Sequence, residues 1–376
     1  MRVLIALHED TLGGATRLVL RPVPILRERG WDISFWCTKP SALYDELTAL
    51  GEPVDGAPRL MRYRLGSLRD APGVRARVAS LPRSLAAFRT HLRELRPDLV
   101  HVNGRLALPE GAVARTSGFR VATFIMDDAL PGLRGVVGRT TPWLVAHEVM
   151  SASTTQGSTL RVGRRVPHVV HANAPEPDST PRPAKRAGAR PVVGTIGVVL
   201  ERKGTDLFVA MAERLHAAGI EAEFRVAGPL DPNAEIADWG RRLLASGEPY
   251  GVRWLGLTDV AAQLREWDVM VMPSRRDPFP LAVLEALSAG VPVVGSAVDG
   301  ITEQLASGAG VLVPPEDPDA LATAVHELLD DPDRRAELAE RGRERARDFT
   351  LERTANELEA VWRAALGAAA HTTGTR

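Results

Sequence analysis

Asp277 and Glu285 stand eight residues apart in the stretch D-V-M-V-M-P-S-R-R-D-P-F-P-L-A-V-L-E-A-L-S-A-G, residues 268–290. The apolar run Val269-Met270-Val271-Met272 is short and ends at Pro273-Ser274, a buried strand followed by a turn. Pro278 and Pro280 fall where a helix begins and a missing N–H costs nothing. Leu281, Leu284, Ala286 and Leu287 then recur at helical spacing, and Gly290 with Pro292 stops the helix. That spacing puts Asp277 on a loop and Glu285 about two turns into the helix. The N–H groups of Leu281 and Ala282 face out of the helix start, a ready place for a phosphate. Carboxylates repel phosphate but suit sugar hydroxyls, so the pattern fits a ligand carrying both a diphosphate and sugars. The plain alternative is a helix start of any α/β domain, with Glu285 a solvated acid.

A second chemical stretch is Ile196-Gly197-Val198-Val199-Leu200-Glu201-Arg202-Lys203-Gly204, between a strand and a helix beginning near Thr205. Lys203, with Arg202 beside it, could neutralise a leaving diphosphate, the largest electrostatic term open to such a site. As a loop lysine, Lys203 is expected to add little to stability. Otherwise the two cations are solvated loop charges. Leu12-Gly13-Gly14-Ala15 opens another helix, and paired glycines let backbone approach a ligand closely. His101 and Asn103 end one strand, and Met126, Asp127 and Asp128 follow another. Asp127 could contact sugar hydroxyls, Asp128 reads as a loop cap, and a lone strand-end histidine is more often structural than a ligand contact.

These residues need two sheets to position them. Short apolar strands at Val3–Leu7, Ile33–Cys37, Leu99–Val102 and Val121–Ile125 alternate with helices, one of them expected over Thr16–Arg29 and ended by Gly30. The second half repeats the pattern at Val192–Ile196, Phe224–Ala227, Val252–Leu255, Val269–Met272 and Val293–Val294, with a helix over Asp206–Ala218. Such alternation implies parallel sheets covered on both faces, an α/β class with two Rossmann-like doubly wound domains. The expected organisation is one Rossmann-like domain over 1–174, a Pro-rich charged linker over 175–190, a second Rossmann-like domain over 191–350, and a last helix with its tail over 351–376. Leu351, Leu358, Val361 and Trp362 mark that helix's apolar face.

The 376 residues carry no net charge, unevenly spread. Residues 1–178 hold 24 Lys and Arg against 17 Asp and Glu, residues 179–190 add four cations, and the remainder holds 19 against 30. Residues 59–96 hold ten arginines with only Asp70 and Glu94 as acids, and Val74, Val78, Leu81, Leu85, Phe88, Leu92 and Leu95 form a helical stripe despite Pro82. Such a stripe usually packs on a core; its alternative is peripheral contact with an anionic membrane surface. A single cysteine, Cys37, excludes a disulfide framework. No strand ends in Asp-x-Asp and no His/Cys ligand spacing occurs, so no metal is expected. The basic stretch lacks interleaved aromatics, so no nucleic acid is expected. With no signal-peptide pattern and no long apolar run, a cytoplasmic protein is expected, with the inner membrane face as its peripheral variant. The richness in Ala, Arg, Gly and Pro fits a bacterial source.

The acid-x7-acid motif with its intervening Phe279, followed by A-L-x-A-G-x-P-V-V, resembles the signature of GT-B retaining glycosyltransferases of family 4. Lys203-Gly204, Val169–Ala174, Asp299-Gly300-Ile301-Thr302-Glu303 and Gly310–Asp317 are similar to further pieces of that family's text, and the likeness is strongest over 192–330. The resemblance implies a terminal helix that crosses back onto the N-terminal domain, and a metal-free hexosyltransferase that takes a nucleoside diphosphate sugar, with UDP favoured, and no other cofactor. It implies that Lys203 and Arg202 hold the diphosphate together with Gly14, Gly197 and the Leu281 and Ala282 amides. It further implies that Asp277 and Phe279 lie at the donor sugar, that Glu285 meets the ribose, and that His101, Asn103, Met126 and Asp127 lie toward the sugar or a small-molecule, glycan or lipid acceptor. Retention implies attack on the same face, with the departing phosphate taking the acceptor's proton. The sequence departs from the family at Asp277, where Glu is usual, at Val198, where Arg is usual, and at Met126, where His is common. A sugar-nucleotide epimerase or hydrolase on the same fold, with Asp127 and His101 as its acid and base, stays open, and Val198 and Met126 keep open a non-catalytic sugar-nucleotide binder.

Overall fold

A computed structural model describes residues 1–9, 12–57, 71–126, 132–175, 189–231 and 233–367, with backbone alone at 71–80 and 132–134. The chain divides into two compact units: Met1–His171 with Leu351–Arg376, and Ala172–Thr350. The interval 175–190 falls in the second unit, and most of it lies outside the described residues.

The first unit is built on seven parallel strands, β1 (Arg2–Leu7), β2 (Asp32–Thr38), β3 (Val54–Ala57), β4 (Leu99–Asn103), β5 (Arg120–Ile125), β6 (Glu148–Ser151) and β7 (His168–Val169), in the order β3-β2-β1-β4-β5-β6-β7. Ile5 of β1 pairs with Phe35 on one side and His101 on the other. Val3, Leu4 and Ile5 are wholly buried, as a sheet covered on both faces requires. The helix expected over 16–29 is two helices, Gly14–Leu20 and Val23–Glu28. Pro22 stands between them, because its ring and missing N–H cannot continue the first.

The long helix Ala71–Leu95 contains Pro82. Its Ser84, Phe88 and Leu92, four residues apart, are buried, and the two apolar ones join Trp36, Val100 and Val121 in the core. The apolar side chains Phe88 and Leu92 are therefore spent on the core, as such a stripe usually is; residues 58–70 lie outside the described residues. The last helix, Leu351–Leu366, belongs to this first unit. Trp362 is fully buried, its ring edge-on to Trp31 at 5.2 Å. Arg29 ties the helix down through Glu359 at 2.7 Å and through Glu352.

The second unit has six parallel strands, β8 (Val192–Ile196), β9 (Glu223–Ala227), β10 (Val252–Gly256), β11 (Val269–Met272), β12 (Val293–Ser296) and β13 (Val311–Val313), in the order β10-β9-β8-β11-β12-β13. In each sheet the strands run outward on one side of the first strand and then resume on its other side. The reversal falls between β1 and β4 in one unit and between β8 and β11 in the other. Helices diverge there at the carboxyl ends of the strands, which leaves a crevice for a ligand. Among the described residues no helix is long and apolar enough to cross a membrane.

Candidate functional site

In the second unit, Lys203 follows β8 and Asp277 follows β11, so the reversal of strand order brings them together. Lys203 Nζ lies 2.5 Å from Asp277 Oδ2, with 21% of the lysine side chain and 6% of the aspartate side chain exposed. The pair is therefore largely desolvated, and removing either partner strands a buried charge. This corrects the expectation that Lys203 is indifferent to stability. The lysine stem passes over Gly197, where a Cβ would sit 3.7 Å from its Cδ. Gly204 closes the 201–203 turn at φ +71°, and a Cβ there would stand 1.9 Å from the Pro273 carbonyl oxygen. Only glycine allows both that backbone angle and that approach.

Two arginines stitch the loops after β8 and β11 to each other. Arg202 Nη1 donates to the Arg276 carbonyl at 2.8 Å, and the Arg275 amide donates to the Arg202 carbonyl at 2.9 Å. Arg275 forks onto Asp206 at 2.8 and 2.7 Å and also donates to the Glu201 carbonyl at 2.6 Å. The hydrogen bonds to Asp206 raise the Arg275 pKa, against the effect of burial. Sequence reading did not single out Arg275, because nothing local links it to a partner 69 residues away.

Asp277 is held by its backbone as well. Its amide donates to Asp299 Oδ2 at 3.0 Å, and its carbonyl accepts from the Gly300 amide at 3.2 Å. Asp299 occupies φ +37°, where glycine is favoured and other residues pay roughly 1 kcal/mol. A Cβ on Gly300 would lie 2.1 Å from the Pro278 carbonyl oxygen, so the two loops touch backbone to backbone. The start of the 299–304 helix thus clamps the residue that precedes the helix Leu281–Ala289.

That helix has no side-chain cap at Pro280, and Gly290 ends it at φ +65°. Its partly exposed residues, Leu281, Ala282, Glu285 and Ala289, share one face, while Val283, Leu284, Ala286, Leu287 and Ser288 are buried. Glu285 accordingly shares an outward face with the two amino-terminal residues whose N–H groups begin the helix. Phe279 departs from expectation: its side chain is buried and its ring packs edge-on against Phe349 at 5.4 Å. It anchors the loop from the core side, which leaves its backbone, rather than its ring, to meet a ligand. Val198 is partly buried.

In the first unit, the strand-end residues form a closed knot. His8 Nδ1 is hydrogen-bonded to the Asn103 carbonyl, and Asn103 Nδ2 donates to the Ala15 carbonyl at 3.4 Å. Gly104, at φ +87°, passes where a Cβ would be 2.2 Å from the His8 ring. The glycine loop differs from expectation. Glu9 accepts from the Thr16 amide at 3.2 Å and from the Thr16 hydroxyl, and its carboxylate fills the space a Cβ on Gly13 would need. The anion at the start of the helix opened by Gly14 is therefore the chain's own Glu9, which disfavours a diphosphate at Gly14.

His101 also moves out of the candidate set. It is wholly buried, and its Nδ1 accepts from Trp362 Nε1 at 3.0 Å. Burial pushes its pKa down to about 3, so it is a neutral core acceptor at physiological pH. Asn103 is likewise fully buried, and its Nδ2 donates within the knot. Met126 is partly buried after β5, and Asp127 lies outside the described residues. Among the described residues no three His, Cys, Asp or Glu side chains cluster to hold a metal ion.

Residues 190–331 match the family described as glycosyl transferases group 1. A D-inositol 3-phosphate glycosyltransferase from Stackebrandtia nassauensis is 34% identical over 177 residues, 44% of this chain and 40% of that protein. An alpha-D-kanosaminyltransferase from Streptomyces kanamyceticus is 27% identical over 178 residues, 46% of each chain. The chain thus spans less than half the length of these curated relatives. Anabaena HepE, solved in complex with UDP-glucose, superposes with a TM-score of 0.78 over 97% of this chain and 100% of its own, at 17% identity. At that identity the likeness is one of fold. The two parallel Rossmann-like sheets are those of the GT-B fold, and the second unit carries the match to glycosyl transferases group 1.

Proposed function

We propose that this protein is a retaining, metal-independent glycosyltransferase that uses a nucleoside diphosphate sugar, with UDP-sugars preferred. The observation that carries the reading is the Lys203–Asp277 pair beside the uncapped start of the Leu281–Ala289 helix, at the strand reversal of the unit that matches glycosyl transferases group 1. A cation and a helix amino terminus are the two anion-binding devices a diphosphate needs. The relatives named as glycosyltransferases support the reaction class, and the UDP-glucose complex of HepE supports the donor.

In this reading a diphosphate draws Lys203 away from Asp277. The released carboxylate then accepts from donor sugar hydroxyls, and Glu285 accepts from the ribose. The bond between the anomeric carbon and the diphosphate oxygen breaks with its electron pair on the phosphate, where Lys203, the helix start and Arg202 stabilise the charge. The acceptor oxygen bonds to the same face of the sugar, and its proton passes to the departing phosphate. An epimerase or hydrolase would need a side-chain acid or base at the sugar, and the sealing of His101 in the core removes one of the two residues that could serve.

The test is calorimetric titration with UDP, GDP, TDP and ADP, followed by incubation with UDP-sugars and candidate acceptors in excess chelator. We expect micromolar UDP binding, product formed only with acceptor, an unchanged anomeric configuration and no loss in chelator. Absence of binding to all four nucleotides overturns the reading. Activity lost in chelator and restored by Mg²⁺ or Mn²⁺ overturns the metal-free assignment.

A further inference from the structure

At the amino-terminal ends of β4 and β5 lies a cavity of about 550 Å³ lined by Arg89, Arg93, Arg96, Thr116, Ser117 and Phe119. Arg89 and Arg93 are four residues apart on the helix Ala71–Leu95, so they share one side of it, and Arg96 lines the cavity from just past its end. Thr116 and Ser117 close the helix Leu108–Thr116, and Phe119 leads into β5. Arg115 and Arg120 are the chain neighbours of Thr116 and Phe119. Among the described residues none of these five arginines makes an ion pair, whereas Arg225 pairs with Glu223 and Glu266 and Arg275 with Asp206. Arg89 Nε donates to the Ser117 hydroxyl at 3.4 Å.

Helix carboxyl termini attract cations, which accounts for some of this charge. Each terminus carries only about half a negative charge, however. Two such termini, with Glu94 and Asp98 counted at full charge, leave a surplus of about two positive charges. Glu94 stands about 100° round the helix from Arg93, off the cavity face. Asp98 already accepts from the Arg2 amide at 2.7 Å. The excess is felt nearby: burial first, then Arg115 and Arg120, lowers the pKa of His147. Arg96 adds a conformational argument. It sits at φ +47° just past the end of its helix, the position where glycine is favoured, so a guanidinium is kept there at a cost.

We propose that this cavity binds a small soluble phosphate compound of two or more negative charges, at a site distinct from the one after β8 and β11. Guanidinium forks and the Ser117 hydroxyl suit phosphate oxygens, and Phe119 offers an apolar wall for the body that carries them.

Inorganic pyrophosphate is the probe, titrated calorimetrically into the full chain, into Lys203→Ala and into the double variant Arg93→Glu/Arg96→Glu. The reversed residues are exposed, and thermal unfolding checks that the variant folds. We expect binding in Lys203→Ala, where the other anion site is impaired, and at least about tenfold weaker binding at this site in the charge-reversed variant. Arg93→Lys/Arg96→Lys should fall between, since it keeps charge and loses the fork. Pyrophosphate affinity unchanged by charge reversal overturns the proposal. So does sedimentation with phosphatidylglycerol vesicles through the same arginines without pyrophosphate binding, which would make the site a membrane contact.

Discussion

Lys203 Nζ and Asp277 Oδ2 stand 2.5 Å apart, so the cation proposed for the diphosphate and the carboxylate proposed for the sugar neutralise each other in the free protein. The pair is a preset exchange: an incoming phosphate competes for Lys203, and the carboxylate becomes available for hydroxyls only when that competition succeeds. Recognition of the two halves of a donor is thereby coupled.

The coupling is measurable. Lys203→Ala should lower transfer by roughly two to three orders of magnitude, the scale of one lost electrostatic stabiliser. It should also cost about 1–3 kcal/mol of stability, because Asp277 is left buried and unpaired. Adding Asp277→Asn should recover most of that stability and none of the turnover. Urea unfolding and initial rates on the two single variants and the double variant decide it; strictly additive stabilities would mean the pair is not energetically linked.

The two acids of the helix start should behave differently. Glu285→Gln is expected to weaken UDP itself by about 1–3 kcal/mol, the worth of a charged hydrogen bond. Asp277→Asn should leave UDP affinity nearly intact and damage turnover and sugar discrimination. Titration of both variants with UDP and UDP-glucose is the check. Equal losses of UDP affinity would contradict the division of labour.

Asp299 tests whether the backbone clamp matters. Asp299→Gly relieves the positive-φ strain and loses the acceptor for the Asp277 amide, two effects of about 1 kcal/mol that should nearly cancel in stability. Turnover should nonetheless fall, while Asp299→Asn, which keeps an acceptor oxygen, should stay near wild type. A glycine variant with unaltered kcat/KM would show that Asp277 holds its place without help.

His101 sets an acid limit on the first unit. Its folded pKa is lowered by burial to about 3, from an unperturbed 6.5. Below pH 6.5 the unfolded chain takes up a proton that the folded chain refuses, so stability present above pH 6.5 is lost progressively toward pH 3. The slope approaches about 1.4 kcal/mol per pH unit. His101→Gln keeps an acceptor for Trp362 and cannot titrate. Between pH 7 and 5 the wild type should lose about 2 kcal/mol more than this variant in urea unfolding. Parallel losses would place the titrating group elsewhere.

Much of this architecture is legible in local sequence. Val269–Met272 is a strand because four apolar residues end at Pro-Ser, and Gly290 stops the next helix because the chain must enter the left-handed region there. The break at Pro22 was legible too, but the apolar periodicity on either side masked it. What the sequence conceals is pairing across distance. Asp299 to Asp277 spans 22 residues, Arg275 to Asp206 spans 69, and Trp362 to His101 spans 261. Whether His101 is a ligand contact or a core acceptor depends wholly on the last of these. Glu9 is hidden for a different reason: an acid after a strand reads as solvated until the helix that it caps is in place.

The return of the chain through Leu351–Leu366 has a consequence for synthesis. The first unit begins with Met1 but is finished only by Trp362, which covers Trp31 and donates to His101 Nδ1. The second unit is continuous from Ala172 to Thr350 and has all its residues at hand sooner. On the ribosome, domains fold as their residues emerge. The part of the protein that is started first therefore matures last, with an unfilled apolar trench along β4 and β5 waiting throughout elongation of the second unit. A chain stopped before Leu351 would keep an intact Lys203–Asp277 pair on a foldable second unit, beside a first unit held open for capture by chaperones.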